Sequence, residues 1–343
     1  MAQQKRSPFA FLESLGGVGA ILNTLREVDV RPMRAAAERP FLLVFASRDV
    51  PLAEHLAALM YRGERFDLHP AWRAAVAVPL EATHALSRAD VVVLVTAPEY
   101  LAEAQRVRQA LAAANTPTLI AVVVAAQSVP PEADLVLPLI NGVLDDAEAQ
   151  HRIVQAVRDL RAVDELALAR HLPAFRSTVV HALIDEVAIA NAAYTFGSGA
   201  LEINPITGVP LNVADIVVLT KNQAILAYKI ALAMGLPSDF KHVMPQIAGV
   251  VGVGFLWRQA ARALVGLLPG LGILPKVAIA FAGTYVVGEA VYRWCATGER
   301  LSAEALQRIY VGALSRAREV FARLRRRSPR AAKSGTVLPR EVR

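Results

Sequence analysis

Residues 204–235 read NPITGVPLNVADIVVLTKNQAILAYKIALAMG. The stretch opens as a loop, with Asn204-Pro205, Gly208 and Pro210, and then becomes a long apolar run. Asp215, Asn222 and Lys229 recur in that run at seven-residue spacing. At about 100° per residue they fall within roughly 40° of one another on a helix. A narrow polar line on an otherwise apolar cylinder predicts a helix enclosed by other helices, with the line facing protein or water. Asp215 and Lys229 stand about four turns apart and do not reach each other, so each needs a partner from another helix or subunit.

The chain around this stretch is unusually apolar. Of its 343 residues, 55% are hydrophobic and 20% charged, and the mean hydropathy is +0.38, beyond an ordinary soluble globule. Either much of the chain is buried against itself or part of it meets lipid. The formal charge of +7 is concentrated at one end. Residues 316–343 hold ten Lys/Arg against Glu319 and Glu341, which leaves the remainder about neutral. The basic excess therefore describes a tail and implies an acidic partner there. The single cysteine, Cys295, excludes an internal disulfide framework and a multi-cysteine metal site. The opening MAQQKRSPFAFLESLGG predicts no cleaved signal peptide, because Glu13 and two glycines interrupt its apolar part.

Asn204, Pro205, Pro210, Asp215, Leu219, Gln223, Ile230, Ala231 and Gly235, followed by LLPGLGILPK at 267–276, together resemble the bacterial YcjF-like domain, which also occurs behind GTP-binding domains. The resemblance spans residues 175–315 and consists of helix and loop residues, not a catalytic signature. It implies a helical, membrane-associated domain, often coupled to a G domain, with no established chemistry.

Residues 1–39 predict an N-terminal helical strap, with helices over 9–26 and 31–38. Its apolar side packs on its own domain or, alternatively, lies on a membrane. From residue 40 strands and helices alternate. Apolar runs at 40–47, 90–97, 117–126 and 135–139 predict strands, and 52–61, 99–114 and 147–167 predict helices. Strands apolar on both faces and separated by helices predict a parallel sheet covered on both sides. Residues 65–80 leave room for a further strand.

This order resembles the G domain that accompanies the C-terminal family. A phosphate-binding loop of that kind needs GxxxxGK[ST] after the first strand. The chain instead has Ala46-Ser47-Arg48-Asp49-Val50-Pro51-Leu52, with neither glycine nor lysine, and Pro51 removes a donor. Thr96-Ala97-Pro98-Glu99 stands in place of Asp-x-x-Gly, and Ala125-Ala126-Gln127-Ser128 in place of Asn-Lys-x-Asp. The reading is a degenerate, non-hydrolysing G-like domain over 40–170 with no cofactor. Arg48 and Asp49 either line a ligand crevice at the carboxyl edge of the sheet or serve as solvated capping residues. Glu99 reads as first-turn helix chemistry.

Residues 171–326 predict an all-α, glycine-rich helical domain. His171, His181 and Asp185 invite a metal reading, but a solvated or hydrogen-bonded set explains them better, and no metal site is predicted. Uncharged runs at 187–201, 243–257, 263–275 and 277–288 have lengths of 15, 15, 13 and 12. A membrane span needs ~20 residues, so none is an unmistakable one. Their glycines, with Trp257, Tyr285, Tyr292 and Trp294 beside Arg258, Arg262, Lys276 and Arg293, nevertheless suit a hairpin at a lipid boundary that turns at 267–275. Residues 327–343 predict a basic disordered tail. Arg323, Arg325, Arg326 and Arg327 at its root face anionic lipid of the inner membrane, whereas nucleic acid is disfavoured for want of aromatic side chains or a binding module.

The composite expectation is an α/β half, a degenerate G-domain-like parallel sheet, followed by the helical half. Its function is that of a non-catalytic membrane-associated protein with a protein partner or a second copy, its bulk facing the cytoplasm. Two alternatives remain: a nucleotide-binding GTPase-like protein with an atypical loop, and a soluble helical oligomer.

Overall fold

Strand Leu43–Ser47 (β1) is buried at every position, as is Val91–Thr96 (β3) up to its last residue. Neither has a polar face for solvent, so both must lie inside a sheet with helices on each side. The computed structural model describes residues 29–63, 74–125, 130–160, 163–201, 213–240, 243, 247 and 274–327, and places β1 and β3 side by side. Four more strands complete the sheet: Ala75–Pro79 (β2), Thr118–Val124 (β4), Leu135–Ile140 (β5) and Val143–Leu144 (β6). The order is β2-β1-β3-β4-β5-β6, with the first five parallel and β6 antiparallel to β5. The segment left open in the sequence supplies β2, a short edge strand that ends in Pro79. Asn141 and Gly142, with φ of 52° and 81°, make the two-residue turn from β5 into β6.

The period of two along the strands divides their side chains between two cores. Val44, Ala46, Val92, Leu94, Ile120 and Val122 meet helices Thr83–Leu86 (α3) and Leu101–Ala113 (α4). On the other face, Leu43, Phe45, Val91, Val93, Leu119 and Ala121 meet Val50–Leu59 (α2) and Asp146–Asp159 (α5). That second core continues without a break into the helical half. There Arg31–Glu38 (α1) and Glu165–His171 (α6) pack with Arg176–Leu201 (α7), Val213–Ala233 (α8), Leu274–Thr297 (α9) and Ala303–Arg327 (α10).

The single helix expected over 147–167 is two helices. Asp164 accepts from the amides of Leu166 (3.1 Å) and Ala167 (3.4 Å), capping α6 and ending any continuous run from α5. A 3₁₀ turn, Pro173–Phe175, then aims α7 away from the sheet. Here the two halves touch backbone to backbone, since Ala174 N–H donates to Met60 O at 3.1 Å. A Cβ on Gly63 would stand 2.5 Å from Pro173 O.

Two arginines, one buried and one half-buried, close the helix ends at this junction. Arg176, 2% exposed, donates to Ala169 O and Arg170 O, and Arg170 donates to Leu232 O and Leu236 O at 3.0 and 2.9 Å. α8 ends in a Schellman turn. Gly235 has φ of 81°, its N–H bonds Leu232 O, and Leu236 N–H bonds Ala231 O. The Ser238 hydroxyl donates to Glu38, tying α1 to the end of α8.

α7, α8, α9 and α10 form a bundle that projects from the sheet. Near the sheet, Ile184, Leu226, Val291 and Leu306 join the main core. Farther out, Ala188, Ala192, Val277, Phe281, Ala313 and Ala317 form a separate cluster. Among the described residues no helix is long and apolar enough to cross a membrane. Most of the expected hairpin turn at 267–275 and of the runs 243–257 and 263–275 lies outside the described residues, as do helix 9–26 and the tail beyond 327; Leu274 and Pro275, expected to end the turn, are instead the first residues of α9.

Candidate functional site

In a sheet of order 2-1-3-4-5, β1 leads outward to β2 on one side while the chain resumes at β3 on the other. The crevice at their carboxyl ends is the natural ligand position of such folds. Ser47-Arg48-Asp49 line one wall and Pro98–Tyr100, a 3₁₀ turn leading into α4, the other. The Arg48 guanidinium lies 4.7 Å from the Tyr100 ring centroid, and its Nε donates to Glu103 at 3.0 Å. Asp49 caps α2 by accepting from Leu52 N–H at 3.1 Å. A carboxylate thus holds the helix N-terminus where a phosphate would need free amides. Arg48 bridges the crevice, and Asp49 is a capping residue. Glu99 lies in the first turn of its helix, as its position after Pro98 implies.

Two depressions of the α/β half lie elsewhere. One of about 640 Å³ between α3 and α4 has a floor of Leu86, Val107 and Leu111 with His84, Glu103 and Arg106 at its rim. A second, of about 570 Å³, lies on the other side of α3 beside Leu42 and Val76. Neither gathers a nucleophile, a base and an oxyanion donor in one place.

The densest polar grouping lies inside the bundle. Asn222 Nδ2 donates to Asn191 Oδ1 at 2.7 Å, and Asn191 Nδ2 donates to Thr284 Oγ1 at 2.9 Å. Gln223 Nε2 donates to the same hydroxyl at 3.1 Å, and Thr284 donates onward to Ala280 O at 2.8 Å. Thr195 extends the group with a bond to Asn191 O at 2.9 Å. Asn191, Thr195, Gln223 and Thr284 are all buried. Three helices are thereby joined by neutral amides and hydroxyls, and among the described residues no ionised group joins the network. Gln223 Oε1 and Thr220 Oγ1 are buried without a hydrogen-bond partner among the described residues.

Nearer the sheet, charge is held in pairs. His181 Nδ1 donates to Ser177 O at 2.7 Å, and its Nε2 lies 3.1 Å from Glu289 Oε1. Both ring nitrogens face acceptors, so the imidazolium satisfies them together. The Glu289 carboxylate accordingly raises the His181 pKa above its ordinary value, with burial acting in opposition. Arg293 stands 4.0 Å from the same carboxylate, and the Tyr292 ring lies edge-on to His181 at 5.0 Å. Asp185 binds Arg316 of α10 through two contacts of 2.8 and 2.9 Å. His171 bonds Arg39 O at 3.1 Å, and burial lowers its pKa. The three residues that suggested a metal thus have separate partners. Among the described residues no group of three or more potential ligands gathers.

Of the polar line, Asn222 meets another helix through Asn191, and Lys229 is half-buried on α8. Asp215 lies on α8, and its side chain is outside the described residues. Gln223 is 1% exposed and belongs to the three-helix network, whereas Asn204, Pro205 and Pro210 lie outside the described residues. Arg323 is exposed beside Glu319 at 3.9 Å. Arg325, Arg326 and Arg327 form the last turn of α10, with side chains outside the described residues. Sequence reasoning passed over Asn191, Thr195, Thr284 and Glu289. The available signal was their polarity inside the runs 187–201 and 277–288 and beside the latter, with Asn191 and Thr195 one turn apart.

No known protein family and no curated protein matches the chain.

Proposed function

We propose that the protein is a non-catalytic, membrane-associated adaptor. Its α/β half is a degenerate G-like domain that serves as an interaction module, and its helical half, related to the YcjF-like domain, docks on the inner membrane with the bulk of the chain facing the cytoplasm. The observation that carries the reading is the polarity of the bundle. Its sheet-distal end is where Leu201, Val213, Leu274 and Arg327 lie, and the sequence continues from these residues into 202–212, glycine-rich 248–273 and arginine-rich 328–343. Apolar, glycine-rich and basic sequence attached at one end of a bundle suits anionic lipid.

Support for a non-catalytic α/β half comes from the crevice. Asp49 holds the helix N-terminus and Arg48 is engaged by Glu103 and Tyr100, while Lys, Asp-x-x-Gly and Asn-Lys-x-Asp are absent from their places. The test is fractionation of the full-length protein from lysed cells, with membranes washed first in high salt and then in alkaline carbonate. Recovery in the carbonate-resistant pellet supports insertion of the glycine-rich segment, and release by salt alone assigns the tether to the basic tail. A protein found wholly in the supernatant overturns the membrane reading.

A further inference from the structure

We infer that the outward face of the second half of α7 is a membrane-contact surface. It is an apolar stripe that lies in the boundary layer of an anionic bilayer with the cationic end of α10 beside it. The inference rests on the membrane reading above and names the surface that carries it.

The residues of α7 turned away from the bundle are Glu186, Ile189, Ala190, Ala193, Tyr194 and Gly197, which follow helical spacing. Beyond Glu186 none is charged. Ile189 is 41% exposed and Tyr194 38%, and a Cβ on Gly197 would meet no atom within 4 Å. Outward positions of a water-facing helix ordinarily carry charged or polar side chains. Here Asn191 and Thr195 are buried instead, and Asn191 reaches α8 and α9 through Asn222 and Thr284.

The stripe lies towards the sheet-distal end. Phe196 packs edge-on against Phe321 at 5.8 Å, so the last turns of α10 run alongside α7, and Arg323, two residues on, is exposed. The chain continues from there into Arg325, Arg326, Arg327, Arg330 and Lys333. An apolar helix face with a tyrosine and small residues, flanked by arginines, has the make-up of an interfacial contact with anionic headgroups. A second copy is the poorer occupant. Face-to-face pairing through this stripe would bring two arginine-rich ends together, and like charges across an interface repel.

The test is flotation of the full-length protein with vesicles of phosphatidylglycerol and phosphatidylcholine, and with phosphatidylcholine alone. The wild type is expected to float with the anionic vesicles. Ile189→Asp with Ala193→Asp is expected to lower the bound fraction by about tenfold, because carboxylates oppose entry into the apolar boundary. Ala102→Asp, on exposed α4, is expected to leave it unchanged. Circular dichroism checks that the double variant folds. An Ala190→Cys protein carrying an environment-sensitive fluorophore supplies a readout that does not depend on that variant, since Cys295 is buried and escapes labelling. Its emission is expected to shift to the blue with anionic vesicles and to be quenched by brominated lipid.

A double variant that floats like the wild type overturns the surface, and so does an unshifted probe on protein that floats. Loss of a dimer in the double variant with flotation unaltered assigns the face to a second copy and likewise overturns it. Failure of the wild type itself to float is a different result, and overturns the membrane reading along with the inference.

Discussion

Replacing Thr284 by Val keeps the shape of the side chain and removes one oxygen. In the folded protein that oxygen accepts from Asn191 at 2.9 Å and from Gln223 at 3.1 Å, and both partners are fully or almost fully buried. After the change two amide N–H groups lack an acceptor, and each buried orphan costs about 1 to 3 kcal/mol. Ala280 O keeps its place in the helical ladder, so little is added there. Thr284→Val is therefore expected to destabilise by roughly 2 to 6 kcal/mol, more than the loss of one average hydrogen bond. Thr220→Val is the paired experiment. The Thr220 hydroxyl is buried without a partner among the described residues, so its removal relieves a desolvated group and is expected to stabilise by about 1 kcal/mol. The assay is denaturant unfolding of the full-length protein, followed by helical circular dichroism and by tryptophan emission, to which Trp294, packed on the main core, contributes. A Thr284→Val protein within about 0.5 kcal/mol of wild type, or two variants that shift in the same direction, would refute the network as drawn.

Gly63→Ala is expected to cost about 1 to 3 kcal/mol, because the new methyl meets the backbone carbonyl of Pro173 at 2.5 Å and neither side can move without parting the two halves; unaltered unfolding would sink this. The His181 pKa is raised above 6.5 in the folded state. Its stabilising effect is thus fully present below pH 6.5 and disappears as pH rises through the higher folded value. His171 is shifted downward and works in the opposite direction below pH 6.5, so the measurement is the difference between wild type and His181→Gln across pH. The difference should shrink on raising the pH, and a constant one counts against the Glu289 pairing. Asp49→Ala is expected to cost about 0.5 to 2 kcal/mol through the lost cap of α2. Calorimetric titration of the wild type with GTP and magnesium is expected to show no heat of binding, and a micromolar isotherm would restore the nucleotide reading.

The strands were legible where the apolar run is rich in large aliphatic residues, since burial on both faces leaves a continuous signature at 43–47, 91–96 and 118–124. β2 was legible only as room for a strand over 65–80, because AVAVP alternates alanine with valine, ends in proline and is only partly buried at the sheet edge. The break between α5 and α6 was written in Asp164 followed by Glu165, a helix-start signal inside what otherwise reads as one periodic run. The polar line was half legible. Seven-residue spacing found Asn222 but not Gln223's role, because Asn191 and Thr284 sit 31 and 62 residues away from Asn222, and only the packing of three helices brings them together. The charge pairs of His181 with Glu289 and Asp185 with Arg316 escaped for the same reason. Local spacing suggested that His181 and Asp185 belong together, whereas each turns to a different helix.

The core that runs unbroken from β1, β3 and β4 into α7, α8 and α9 has a mechanical consequence. A linker between two independently packed bodies lets one swivel on the other, but here the joint itself is interior, closed by Arg176 and Arg170 on the helix ends and by Gly63 against Pro173. The 26 residues of α7 amount to about 39 Å of rigid rod anchored in that joint. Whatever the far end of the bundle grips, the carboxyl rim of the sheet is presented at a set height and heading above it, as the head of a strut.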